Sequence, residues 1–165
     1  MTQPIYFTGR CLLAMPGMGD PRFERAVIAM CMHDEEGALG IDLGRTVDGV
    51  SAAEVFRQLD LEADGPAEGQ PLLQGGPVQT ERGFVIHSLD YQRSDTVDVA
   101  GRWGLTSSLS ILTDIAEGRG PENWRLALGY SGWDAGQLEE EMTRPGWLLA
   151  DCDTDVLFGE GPEHV

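Results

Sequence analysis

Apolar positions along this chain recur mostly with a period of two, in short runs broken by glycine and proline. "RCLLAM" (10–15) reads as a buried strand ending at Pro16, and "AVIAMCMH" (26–33) is a second run short enough for a strand. "GALGIDL" (37–43) follows the turn-forming "DEEG", so 26–43 is expected to be a hairpin. Asp42 then shares a face with Ala38 and Gly40, expected to be less buried than the face of Leu39, Ile41 and Leu43. "GFVIHSL" (83–89) is a further strand, and "TVDVAGRWGLT" (96–106) a hairpin around Gly101. "NWRLALGYSGW" aligns Trp124, Leu126, Leu128 and Tyr130 on one face of a half-buried strand. "WLLAD" and "DVLF" are two short strands near the end.

Three helices interrupt these strands. Ser51 and Glu54 form a capping box ahead of the stripe Val55, Phe56 and Leu59. Ser107 or Ser108 caps a helix running to Glu117, with Gly118 as its C′ residue. Asp134 and Gln137 make another capping box, opening "AGQLEEEMTR". On its wheel Leu138 and Met142 share the core stripe, Glu139 and Glu141 border it, and Glu140 points away towards Arg144. The stretch 60–71, acidic and rich in Gly and Pro, is a surface loop. Together the elements predict an α+β domain with a mixed, mostly antiparallel sheet.

Length predicts one domain over 1–165, which buries roughly 70% of its unfolded surface and needs no disulfide or metal to fold. Charge changes the picture more. Against 28 acidic residues stand 11 basic ones, a net charge of −17, and every basic residue is arginine. The absence of lysine excludes a P-loop lysine or a Schiff-base lysine. The field opposes direct nucleic-acid binding, and its simplest role is to keep the protein soluble. Cys11, Cys31 and Cys152 are an odd, scattered set without a CxxC pair, which predicts unpaired thiols in a reducing compartment. No apolar stretch approaches the ~20 residues of a membrane span, and the expectation is a cytoplasmic protein with no membrane contact.

Candidate chemistry is sparse. In "GGPVQTERGFVIH" (75–87) a glycine-rich turn could cradle an anion, but Pro77 lacks an N–H and no helix begins there. A turn with φ > 0 feeding a strand is the better reading. Arg82 suits a carboxylate or phosphate, whereas a strand histidine such as His87 is more often packed than basic. "MPGMGDPRFER" (15–25) is an irregular loop carrying Asp20 and Arg22. Cys31 and His33 are expected on one strand face, ~6.6 Å apart, too far for a dyad unless they lean together. With His87 they would make a three-ligand zinc site only if two strands converge, and a buried structural cysteine outweighs that reading. Trp133 and its neighbouring glycines form a plausible pocket wall at the entry to the last helix. No nucleophile elbow, HExxH or dinucleotide fingerprint occurs.

"LLAMPGMGDPRFERAVIAMCMHDEEGALG", "GGPVQTERGFVIH", the "TSS" helix start and "LGYSGWDAGQLEEEM…WLLADCDTDVLF" together resemble the YqgE/AlgH family, in order over nearly the whole chain. The resemblance implies an α/β fold whose branched sheet curls into a pseudo-barrel. It also implies a bacterial protein labelled in places a transcriptional regulator, with no reaction or ligand established. The matching positions include Pro16, Asp20, Pro21, Phe23, Cys31, His33, Gly75, Gly76, Pro77, Arg82, His87, Trp133, Gln137, Leu138, Glu139, Glu141 and Trp147. After Gly40, Asp42, Gly44, Arg45 and Thr46 depart from the family's apolar–Asn–basic–Pro pattern, and Leu109 and Ser110 replace a basic–acidic pair. Members commonly continue into a further helix with a Trp, which a chain stopping at Val165 is expected to lack.

The leading expectation is a non-enzymatic regulatory or accessory module that needs no cofactor. Asp20, Arg82, His87, Trp133, Gln137, Glu139 and Glu141 would form one surface for a protein partner or small ligand. The alternative is a small enzyme such as a hydrolase, using Cys31, His33 or His87 with Arg82 holding an anion. Metal binding by Cys31, His33 and His87 is the weakest of these readings.

Overall fold

A computed structural model describes residues 7–14, 27–61, 70–143 and 147–151. The elements are β1 (Arg10–Ala14), β2 (Val27–Asp34), β3 (Gly37–Asp42), β4 (Thr46–Ser51), α1 (Ala52–Gln58), β5 (Pro71–Gln74) and β6 (Val78–His87). There follow β7 (Val97–Val99), β8 (Trp103–Thr106), α2 (Leu109–Ala116), β9 (Trp124–Asp134), α3 (Gln137–Glu141) and β10 (Trp147–Asp151). The strands run β10-β1-β2-β3-β9-β6-β8-β7, with β4 and β5 branching from β9, and the sheet curls into a half-barrel. All pairings are antiparallel except β5 with β9. The class is α+β.

The branch lies where β9 changes neighbours. Leu126–Leu128 pair with both β5 and β6, whereas Ser131–Asp134 pair with β3. Between the two halves Gly129 takes φ 77°, a left-handed conformation that costs glycine little. A Cβ there would stand 2.5 Å from the Gly76 carbonyl oxygen, and one on Gly75 or Gly76 would collide with the backbone of Gly129 or Tyr130. Gly75 donates its N–H to Leu128 and accepts from the Asp42 N–H, both amides meeting their partners within 2.9 Å. The "GGP" glycines therefore let two backbones touch; the Gly75 N–H is spent on the sheet and not on an anion.

Side chains sort into three apolar layers. Val27, Ala29, Cys31, Ile41, Phe84, Ile86, Trp103, Leu105 and Ala127 fill the inside of the half-barrel. On the outer face Phe56 of α1 and Ile111, Leu112 and Ile115 of α2 cover Leu72, Val85, Trp124 and Leu126. Elsewhere on that face Leu138 of α3 packs with Phe7, Leu12, Ile28, Met30 and Trp133. Burying such side chains is worth roughly 1.5–3 kcal/mol each, so the three layers hold the curled sheet together.

Several expectations hold. The 26–43 hairpin forms, and the 96–106 hairpin turns through Ala100 and Gly101, both at positive φ, as a two-residue turn requires. Ser108 is the N-cap residue of α2, though its hydroxyl meets Ser110 and caps no backbone N–H, and Gly118 follows the helix at φ 82°. Others need correction. Ser51 is the N-cap of α1 without a side-chain cap, and Glu54 pairs with Arg57 instead of closing the box; of the expected stripe Phe56 is buried, while Leu59 is exposed. α3 is one short turn with Gly136 as N-cap; Gln137 still accepts from the Asp134 N–H at 2.9 Å, half of the expected box. Strands β4 and β5 were not anticipated, and Pro71 belongs to β5 rather than to the loop before it. "DVLF" lies outside the described residues.

Two corrections concern which way side chains face. Register shifts in the β2–β3 pairing between Met30 and Met32, a bulge that adds one residue to β2. Cys31 keeps the inward face of Val27 and Ala29, whereas His33, beyond the bulge and opposite Ala38, turns to the α3 face. Gly129 does the same to β9: Trp124, Leu126 and Leu128 pack outside, but Tyr130 packs inside.

Candidate functional site

His33 is the one histidine paired with a carboxylate among the described residues. Its Nδ1 accepts the Phe7 backbone N–H at 2.9 Å, so its proton sits on Nε2, which donates to Glu139 Oε1 at 2.9 Å. Phe7 also stacks on the ring at 5.2 Å. The His33 side chain is fully buried; that of Glu139 is 36% exposed. Its bond from His33 holds the Glu139 carboxyl below the ordinary glutamate value, so Glu139 is ionised and aimed. Both ring nitrogens are engaged. His33 therefore orients a carboxylate.

The edge of α3 gathers around this pair. Leu138 is buried and Met142 packs beside it, as the wheel predicts, leaving Glu139 and Glu141 half-buried at the borders and Glu140 exposed. Gln137 accepts from the Asp134 N–H and donates to Glu141 Oε2 at 3.2 Å. Trp133 lies beneath, 8% exposed, a floor rather than an open pocket wall. Chemically this rim can accept hydrogen bonds from cationic or N–H groups.

His87 is a different case. Its Nδ1–H donates to the Ser88 carbonyl and its Nε2 accepts the Thr106 hydroxyl at 2.8 Å; Thr106 in turn takes a hydrogen bond from Thr96, which takes one from the Arg93 N–H. Tyr91 meets the ring edge-on at 5.4 Å, and the ring lies over Gly104. Burial pushes the imidazole below its ordinary value, keeping it neutral. It ties β6, β8 and the 88–96 loop together.

The remaining candidates are scattered. Cys31 is 1% exposed, and burial pushes its thiol up to about 12, far from a nucleophile's range. The bulge separates it from His33, and His87 is enclosed by its own partners. Among the described residues no group of three His, Cys, Asp or Glu side chains could hold a metal. Arg82 is exposed, lies 5.0 Å over the Phe84 ring, and reaches Ser107 Oγ at 3.3 Å. Phe84 packs inside the half-barrel, so Arg82 lies on the face opposite α3, and the single expected surface is divided between two faces of the sheet. Asp20 lies outside the described residues. Cys31 is free but Cys11 is disulfide-bonded, which corrects the expectation of three unpaired thiols.

Asp42 was misread. It is 3% exposed, and its Oδ1 accepts the Val27 N–H at 3.2 Å and the Gly44 N–H at 2.8 Å. Burial raises its carboxyl to about 6, although both amides and Arg45 favour the charged form. A lone aspartate in an apolar run followed by glycine was the available signal. The role of the Phe7 amide had none, since any residue supplies an N–H.

Comparison with known proteins places these features. A family model described as AlgH-like matches residues 11–165. A UPF0301 protein of Rhizorhabdus wittichii is 49% identical over 162 residues, 98% of this chain and 87% of its own length. One from Sphingopyxis alaskensis is 50% identical over 161 residues, 98% and 86% respectively. The solution structure of the AlgH protein from Pseudomonas aeruginosa superposes with a TM-score of 0.80 at 38% identity, covering 99% of this chain and 87% of that one. A Corynebacterium diphtheriae protein shares the fold at a TM-score of 0.75 and 22% identity, covering 98% and 83%.

Proposed function

This chain belongs to the AlgH-like family, and on that premise we propose that it is a non-enzymatic accessory or regulatory module of the cytoplasm, which grips a basic segment of a partner protein along the α3 rim. The observation that carries the reading is the His33–Glu139 contact, a buried imidazole holding a half-exposed carboxylate in one orientation. Glu141, linked through Gln137, extends the acceptor row. Both histidines of the described residues have their ring nitrogens engaged, and burial keeps the Cys31 thiol protonated, which supports binding over nucleophilic catalysis. A charge of −17 favours regulation through a protein over direct contact with DNA. The free thiol of Cys31 suits a reducing compartment, while the Cys11 disulfide is the observation that a cytoplasmic setting must accommodate.

The test is affinity capture from a bacterial lysate with the wild-type protein and a Glu139→Gln/Glu141→Gln variant. The reading expects a basic protein retained by the first at low salt and lost by the second. Identical retention by both proteins would sink it.

A further inference from the structure

Six side chains form an unbroken strip across the inner face of the half-barrel, on the side of the sheet away from α3. Met32 of β2 stands opposite Leu39 of β3, and Leu39 opposite Gly132 of β9. A Cβ on Gly132 would stand 3.2 Å from the Tyr130 ring, so that ring covers the glycine. Tyr130 meets Phe84 of β6 edge-on at 5.7 Å, Arg82 lies over Phe84 at 5.0 Å, and its Nη2 reaches Ser107 Oγ at 3.3 Å. Met32 is 46% exposed, and Leu39 and Tyr130 are half-buried on the core. One end of the strip is apolar and the other cationic.

Arg82 supplies the cationic end. Arg57 and Arg119 pair with carboxylates and Arg45 lies 3.9 Å from Asp42, but Arg82 meets only neutral groups among the described residues: Ser107, Gln79 at 3.5 Å, and the Phe84 ring. An exposed guanidinium held only by neutral groups keeps its charge for an external oxyanion, which can join or displace Ser107 and Gln79. The stack on buried Phe84 fixes its plane. Gln79, at φ 48°, lets β6 swing away from β9 between Val78 and Gly83, and Arg82 lies on that excursion.

We propose that this strip binds a small amphipathic anion, with its carboxylate or phosphate on Arg82 and Ser107 and its apolar tail across Tyr130, Leu39 and Met32. Three steps between strands, at ~4.8 Å each, make the strip roughly 14 Å long, the length of a medium acyl chain or a linked pair of aromatic rings. This goes beyond the α3 reading and is independent of it.

The experiment titrates the intact protein with decanoate, decyl phosphate and decyl alcohol at pH 7.5, by calorimetry and NMR. Saturable one-to-one binding of either anion is expected, with shifts at the Met32 methyl, the Tyr130 ring and the Arg82 Nε–H. Arg82→Gln should weaken the anions about tenfold and leave the alcohol unchanged, as loss of one charge-assisted contact requires. The better-bound anion names the head group. Met32→Asp, also at an exposed position, should weaken all three by repelling or wetting the tail. Absence of saturable binding, equal anion affinity in Arg82→Gln, or shifts confined to another face would each overturn the proposal.

Discussion

The proton between His33 and Glu139 belongs to His33 Nε2, because the Phe7 amide occupies Nδ1. A ring in this tautomer gives a 15N spectrum with a protonated Nε2 and an unprotonated Nδ1. Glu139→Ala leaves the buried N–H without its acceptor and should cost about 1 kcal/mol, whereas Glu139→Gln keeps an acceptor and should cost less. Because Glu139 titrates below its ordinary value when folded, its contribution is present above the unfolded glutamate pKa and is lost as pH falls through the folded one. Urea midpoints for both variants between pH 3 and 7 check this.

Asp42 should behave in the opposite sense. With its folded pKa raised from 3.8 to about 6, its contribution is complete below the lower value and is lost as pH rises through the higher. Asp42→Asn, neutral throughout, should therefore gain on wild type by on the order of 2–3 kcal/mol between pH 4 and pH 7.5. A constant difference across that range in denaturant melts would refute the assignment.

His87 is depressed by burial, so its contribution is present above 6.5 and is lost as pH falls from there through the folded pKa. Thr106→Val removes the hydroxyl that its Nε2 accepts, and should destabilise by about 1–3 kcal/mol. Gly104→Ala would place a methyl 2.9 Å from Nδ1, and should displace the ring and cost a similar amount. Loss of the Tyr91 ring-current shift on His87 protons would report the displacement.

The glycines should separate cleanly. Gly76→Ala drives a methyl into the backbone of Tyr130 at the branch, which has no flexible atom to yield, and should cost at least about 3 kcal/mol or prevent folding. Gly101→Ala, at φ 71° with nothing within 4 Å, should cost only the left-handed penalty of roughly 1–2 kcal/mol. Thermal melts of the two variants compare them directly.

Most strands and helices were legible because alternation and turn residues are local signals. Orientation was harder to read. One inserted residue near Met32 and one left-handed glycine at 129 reverse the alternation, moving His33 outward and Tyr130 inward, and neither leaves a mark on composition. Strand β5 escaped notice because its four residues gain their partners from β4 and β9, far along the chain. The α3 border glutamates were readable from the wheel. Their anchor was not, since His33 meets Glu139 across 106 positions of sequence. Asp42 shows the limit of hydropathy, for its burial is made tolerable by two backbone amides that no side-chain pattern encodes.

The dependence of β3, β5 and β6 on a single late strand has a consequence for synthesis. Gly40 pairs with Ser131, about 90 residues downstream. At the usual 5–20 residues per second, β3 waits roughly 5–20 s for that mate to be made. Until then β1, β2 and β3 form a three-strand sheet with open edges, the kind of intermediate that invites pairing with other chains. Long-range pairings thus close late, at β9 and again where β1 meets β10, and nascent chains of this protein should depend on chaperone cover until these strands have emerged.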